Sequence, residues 1–310
     1  MLLLVPSLPA GESLPAFTNE LMHRRHGAVI VSNPQTGQLL AVWNPCTASR
    51  QAFPPGSTAK LVECVAALEE GSISPSDPIA CRRVPELLGE AYHCSHPEAQ
   101  EPFTPASALA NSCNYFFAEL SVRLSSVALA HWYAVFGFGS PGSDPEGEAI
   151  TGHVRVATDP VGKARAALGE GTVTATPAQV LLAYSAIATR GKVFRFQPST
   201  PWRNSPSLLR TVRLQQRTLK VVAAGLEGCV QSGTCRAAAV PGVRVAGKTG
   251  TAMASNGSGA THAWFVGYAP AESPEIALVV FLERGTGIRD AAPLAGQILK
   301  CYFDRKIRRP

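Results

Sequence analysis

The chain has 310 residues, 45% of them hydrophobic and 16% charged, with 28 basic against 22 acidic side chains and a formal net charge of +6. That length suits one large domain or two intimately packed lobes, and the apolar share supports a sizeable core and excludes a disordered chain. The basic excess is mild, and its tight cluster is the tail Arg305, Lys306, Arg308 and Arg309, a solvated end that argues for neither nucleic acid nor lipid as a partner.

In chain order, Leu2 to Val5 form an apolar run that meets Pro6 and Pro9 with no early Lys or Arg. Such a run cannot span about 30 Å of hydrocarbon and lacks the basic start of a secretory signal. Residues 1–20 are therefore expected as a poorly structured segment, with an incomplete amino terminus as the expected reason for the missing address. Gly27 to Ser32 and Gln38 to Val42 are apolar runs separated by Asn33-Pro34-Gln35-Thr36-Gly37, which predicts a hairpin. Leu61, Val62, Val65 and Leu68 recur at helical spacing and predict a helix over 57–70, stopped at Gly71. Thr104-Pro105 and Thr176-Pro177 read as an N-cap followed by proline at N1, opening helices to about Arg123 and Thr189. Three late runs, Val243 to Met253, His262 to Tyr268 and Glu275 to Leu282, predict antiparallel strands joined by short turns, and Ala291 to Tyr302 a closing helix.

The expected fold is thus α/β of the α+β type. An antiparallel five-stranded sheet is assembled from both ends of the chain and flanked by helices, with an all-helical lobe inserted between. The domain covers 21–305, its sheet lobe about 21–56 and 230–305 and its helical lobe about 57–229, followed by a basic tail at 306–310.

Eight cysteines are too few for a disulfide scaffold of this length. Cys81 with Cys94 and Cys229 with Cys235 are close pairs in turn-rich surroundings, where disulfides would suit an oxidising compartment. For the first pair a disulfide is the leading expectation. Free thiols, or a zinc site drawing on Cys81, His93, Cys94 and His96, are the alternatives. Cys46, Cys64 and Cys301 are expected to act as small buried hydrophobes.

Three short motifs carry the chemistry. In Pro54-Pro55-Gly56-Ser57-Thr58-Ala59-Lys60 a turn breaks into a helix, placing Ser57 and Lys60 at i and i+3 on one face. A lysine made neutral by burial could accept the serine proton, and the positive helix end favours charge developing on attached oxygens. Ser112-Cys113-Asn114 adds a hydroxyl that can relay a proton and an amide that can hold a peptide group. Lys248-Thr249-Gly250-Thr251, on a predicted strand, offers a cation and two hydroxyls for a carboxylate, and Gly250 would let a ligand approach the backbone. Each is common alone; together, in this order, S-x-x-K, S-x-N and K-T-G form one set.

On these motifs the chain resembles the transpeptidase domain of penicillin-binding proteins, from about His26 to Phe303. Gly27 to Ala41 is similar to the opening hairpin of that family. Ala167 to Gln179 looks like its G-x-G…T-P-x-Q segment, and His262 to Pro270 like the strand after K-T-G. The two-cysteine loop followed by Ser112 to Phe117 most resembles monofunctional, class B proteins of the elongation type.

The resemblance implies a serine-type D-Ala-D-Ala transpeptidase that needs no cofactor and binds penicillin. Ser57 would be the nucleophile and Lys60 its base, with Ser112 relaying the proton and Asn114 fixing the donor peptide. Lys248, Thr249 and Thr251 would hold the terminal carboxylate, and the N–H groups of Ser57 and Thr251 would form the oxyanion hole. It further implies peptidoglycan stem peptides as substrates, β-lactams as inhibitors, a membrane glycosyltransferase as partner and a place on the extracytoplasmic face of the cell envelope. A hydrolytic relative, either a D,D-carboxypeptidase or a serine β-lactamase, and a penicillin-sensing domain without turnover are the alternatives. The chain departs from the family in showing no membrane anchor or pedestal. It also has Glu170 where the family often has glutamine, with Thr174 in place of the asparagine of E-x-x-x-N; Glu170 is read as structural.

Overall fold

The computed structural model describes residues 13–140, 150–198, 205–255 and 257–307. The apolar run at 1–10, Arg308 and Arg309 lie outside the described residues. Along the chain run α1 (Leu14–Met22), β1 (Gly27–Ser32), β2 (Leu39–Trp43), α2 (Pro45–Arg50), a 3₁₀ turn (Gly56–Ala59) and α3 (Lys60–Glu69). Then come α4 (Pro105–Asn111), α5 (Asn114–Val122), α6 (Ser126–Phe136), α7 (Pro160–Ala167) and α8 (Pro177–Ala188). They are followed by β3 (Lys192–Phe194), β4 (Leu208–Thr211), α9 (Gln216–Gln231), β5 (Ala246–Met253), β6 (Thr261–Ala269), β7 (Ile276–Leu282) and α10 (Ala292–Ile307).

The five-stranded sheet has the order β2-β1-β7-β6-β5, antiparallel throughout. β1 and β7 are buried along their whole length, which explains why they read as unbroken apolar runs instead of alternating ones. Alternate residues serve two cores. Ala28, Ile30, Val279 and Phe281 join the core shared with α3, α5 and α8. Val29, Val31, Leu278 and Val280 face α10 and Leu14 and Met22 of α1. The opening and closing segments of the chain are thereby pressed onto one sheet.

Four expectations are corrected. Residues 14–20, expected as unstructured, belong to α1, whose N-cap Ser13 accepts from Ala16 N–H. The tail likewise starts inside α10, where Lys306 pairs with Glu275. The inserted lobe is not all-helical, because β3 and β4 pair within it, and α8 contributes to the core beneath the sheet. The single helix predicted from Thr104 to Arg123 is two: Ser112 takes φ 55°, ψ 39° and ends α4, and Cys113 caps α5 by accepting from Phe116 N–H. Asn, Ser and Cys are weak helix formers whose side chains bond locally to the backbone, so the helix breaks where the S-x-N motif lies. The predicted caps hold, with capping boxes joining Thr104 to Ser107 and Thr176 to Gln179.

Cys229 and Cys235 form the expected disulfide, with Cα atoms 5.0 Å apart, clamping the end of α9 to the turn that leads into β5. Cys64 and Cys301 are buried as expected, whereas Cys46 is exposed at the start of α2. Among the described residues no helix is long and apolar enough to cross a membrane.

Candidate active site

The three motifs converge where β5 meets the helical lobe, the cleft of the candidate site. Ser57 sits half-buried in the 3₁₀ turn that opens α3, and the N–H of Lys60 donates to the Ser57 carbonyl. The turn is wedged against the sheet. Trp264 Nε1 donates to the Pro54 carbonyl at 3.0 Å, and Tyr184 on α8 donates to the Thr58 carbonyl at 2.9 Å. Gly250 completes the wedge: a Cβ there would lie 2.8 Å from the Pro55 carbonyl oxygen and 2.9 Å from the Thr58 methyl. The turn that carries Ser57 thus approaches the Gly250 backbone too closely for a side chain to stand there.

Lys60 is fully buried. Its amine donates to the Ser112 carbonyl at 2.8 Å, to Ser112 Oγ at 3.3 Å and to Asn114 Oδ1 at 2.5 Å. The left-handed conformation of Ser112 aims both its carbonyl and its hydroxyl at this one amine. Asn114 in turn donates from Nδ2 to the carbonyls of Tyr92 and His93, each at 3.2 Å. Its amide therefore braces both Lys60 and the two-cysteine loop. Burial lowers Lys60 to about 8 despite the opposing pull of Cys113, Cys94 and Glu63, so a neutral amine is within reach near physiological pH.

Lys248 is also fully buried, held by a bond from its amine to the Thr249 carbonyl at 3.0 Å. Burial first, and the charge of Lys60 second, hold it well below an ordinary lysine. Burial holds both amines toward their neutral forms, and an anion arriving beside them would favour the protonated ones, which suits a site for a carboxylate. The Thr249 hydroxyl, expected at a substrate carboxylate, meets Thr234 Oγ1 at 2.7 Å, and Thr251 Oγ1 accepts from Gly287 N–H at 3.0 Å. Thr234 and Gly287 had no motif to mark them; only their approach to β5 reveals them.

The two-cysteine loop lies directly behind this cleft. Cys81 and Cys94 are separate thiols with sulfurs 3.7 Å apart, which corrects the expected disulfide. The ligand atoms of Cys81, Cys94, His96 and Cys113 all lie within 4.8 Å of one another. His93, expected in this set, is exposed and bonds through Nδ1 to the Glu90 carbonyl. Cys113 takes its place because the helix break that creates the S-x-N corner also turns that thiol toward Cys94. The donor chemistry fits zinc, with three thiols and one imidazole. His96 Nδ1 is bonded to the Pro97 carbonyl at 2.6 Å, leaving Nε2 toward the thiols. Backbone N–H groups of Arg83, Tyr115 and Phe116 point at the three sulfurs. The bond between Cys94 and Cys113 pulls Cys94 far below an ordinary thiol and holds Cys113 above one, and burial raises Cys81, so Cys94 is the thiolate of the set.

Residues 27–300 match the family described as "Penicillin binding protein transpeptidase domain". The chain is 33% identical to Stage V sporulation protein D of Bacillus subtilis over 84% of its own length and 42% of that protein. It is 27% identical to the peptidoglycan D,D-transpeptidase PbpA of Mycobacterium tuberculosis, over 88% of this chain and 66% of that protein. It thus spans between about two fifths and two thirds of these relatives. The crystal structure of the D,D-transpeptidase domain of a peptidoglycan glycosyltransferase from Eggerthella lenta superposes with a TM-score of 0.81, at 25% identity, over 94% of this chain and 81% of that one. With S-x-x-K, S-x-N and K-T-G gathered around a single cleft, the chain belongs to the penicillin-binding protein transpeptidase family.

Proposed function

We propose that the chain is a peptidoglycan D,D-transpeptidase that works through an acyl-enzyme on Ser57. The observation that carries this reading is the bonding of Lys60 to Ser112 and Asn114 at the foot of the turn bearing Ser57, with the second buried amine, Lys248, opposite. Neutral Lys60 takes the Ser57 proton as Oγ attacks the carbonyl between the terminal D-alanines of a stem peptide. The N–H groups of Ser57 and Thr251 receive the oxyanion. The proton passes from Lys60 through Ser112 Oγ, 3.3 Å away, to the amine of the departing D-alanine. Lys248 and the Thr251 side chain supply the attraction for the terminal carboxylate. An acceptor amine then resolves the ester into a cross-link.

The same reading makes β-lactams inhibitors, places the enzyme on the extracytoplasmic face of the envelope and pairs it with a membrane glycosyltransferase that supplies the glycan strands. It also takes Cys81, Cys94, His96 and Cys113 as a structural zinc site bracing the S-x-N corner. Labelling by fluorescent penicillin tests the nucleophile: wild type is labelled and Ser57→Ala is not. Equal labelling of both would sink the assignment. Release of D-alanine with and without an acceptor amine separates transfer from hydrolysis.

A further inference from the structure

The mechanism above gives Glu170 no role. β5 is an edge strand of the sheet, so the amides on its open side have no strand to pair with. The N–H of Met253 donates to Glu170 Oε1 at 3.3 Å. Amides two residues apart in a strand point the same way, so the N–H of Thr251 faces this same open edge, roughly 7 Å from that of Met253 at about 3.4 Å per residue. On the other side, Gly56 N–H donates to the Gly169 carbonyl at 3.0 Å. Gly169 has φ +72°, and a Cβ there would stand 2.2 Å from the Gly56 carbonyl oxygen. The residue before Glu170 is thus pressed against the residue before Ser57, while the Glu170 carboxylate itself bonds the end of β5.

The charge at this place is of the sign the other cleft residues lack. Ser57, Ser112 and Thr251 present hydroxyls, and Lys60 and Lys248 amines that become cationic beside an anion, which suits the carboxylate of a donor. The acceptor is an amine and arrives as an ammonium ion. It needs an anion to receive it and must lose a proton before it can attack. Facing Glu170 are Arg165 from α7, the hydroxyl of Tyr92 and the Met253 amide. Burial raises the carboxyl to about 7, with the Met253 N–H and Arg165 opposing, so it can both hold and release a proton near neutrality.

We propose that Glu170 is the acceptor-site residue of the transfer step, its carboxylate binding the incoming ammonium group and taking its proton, directly or through one water. The inference rests on the transpeptidase reading of Ser57. The ammonium gives one proton to Glu170, which later returns it to solvent. The freed amine attacks the acyl carbon, and the C–Oγ bond breaks. The second amine proton passes through Lys60 to Ser57 Oγ. The products are an amide and a restored hydroxyl.

The test compares wild type, Glu170→Gln and Glu170→Asp, using a pentapeptide donor ending in D-Ala-D-Ala with either a lysine-containing peptide or hydroxylamine as acceptor. Hydroxylamine is already uncharged at neutral pH. Glu170→Gln is expected to lower the ratio of peptide-amine transfer to acylation at least tenfold, to raise the acceptor KM, and to flatten the rise of transfer with pH near 7. Transfer to hydroxylamine is expected to fall much less, and Glu170→Asp to recover part of the amine transfer. An unchanged ratio, or equal losses with both acceptors, would overturn the proposal. No penicillin labelling of wild type would instead remove the Ser57 reading beneath it, and the inference with it.

Discussion

The amine of Lys60 and the carbonyl of Ser112 lie 2.8 Å apart, although 52 residues separate them in the chain. That bond exists because Ser112 is held at φ 55° between two helices, a conformation that costs an L-residue roughly 1–2 kcal/mol. The strain lies at the joint that brings the Ser112 hydroxyl to the Lys60 amine. Lys60 is thereby fixed by the S-x-N corner and not by Ser57, leaving the serine free to meet a substrate.

The first prediction concerns pH. Lys60 must be neutral to accept a proton, and burial brings it down to about 8. Acylation by a fluorescent penicillin should therefore rise with pH and level off above about 8, with only about a tenth of the maximal rate at pH 7. Lys60→Arg keeps the positive charge and gives up the base, so the rate should fall by about 100-fold or more. A rate independent of pH between 6 and 9 would contradict the assignment.

Gly250 tests the wedge. Its hypothetical Cβ meets the Pro55 carbonyl oxygen at 2.8 Å and Trp264 Cβ at 3.2 Å, both held by neighbouring elements. Gly250→Ala should cost about 1–3 kcal/mol and lower penicillin acylation along with the melting temperature, because the displaced atoms carry Ser57. Wild-type melting and labelling would show that the turn yields without consequence.

For the cluster at Cys81, Cys94, His96 and Cys113, elemental analysis of purified protein should find one equivalent of zinc. Removal of the metal by a chelator, or the change Cys113→Ser, should lower the melting temperature. Since Cys113 stands between Ser112 and Asn114, either change should also slow acylation. Metal-free protein with a Cys81–Cys94 disulfide in its mass spectrum would refute the site.

Glu63 makes a linkage prediction. It is fully buried on α3, and neither carboxyl oxygen has a hydrogen-bond partner among the described residues. Burial raises its pKa well above the ordinary carboxylate value. Below pH about 4 both folded and unfolded chains carry the proton, and the group contributes no slope. As pH rises past that point the unfolded chain ionises first, so stability is lost. Glu63→Gln cannot ionise, and its melting temperature relative to wild type should climb by several degrees between pH 4 and pH 8. A constant difference would show Glu63 to be ionised in the fold.

Much of the fold was legible because its signals are local. Thr104-Pro105 and Thr176-Pro177 mark helix starts whatever surrounds them, and Asn33 to Gly37 marks a hairpin. The break at Ser112 was not legible, since propensities that weak decide nothing until Lys60 and the two-cysteine loop supply partners for the exposed backbone. Cys113 carries no ligand signal in the sequence for the same reason. It reads as part of a helix, and its thiol meets Cys94 only after the chain turns there.

The sequence by itself determined the candidate set, Ser57, Lys60, Ser112 and Lys248, because chemistry is a property of residue types and their order. Tertiary structure decided what each group does with its neighbours. Packing against the Pro55–Thr58 turn gave Gly250 a steric role, the carbonyls of Tyr92 and His93 claimed the Asn114 amide, and the open edge of β5 brought Glu170 to the cleft. The physical reason is distance. Hydrogen bonds and desolvation act over a few ångströms, and the partners that set them lie tens of residues away along the chain.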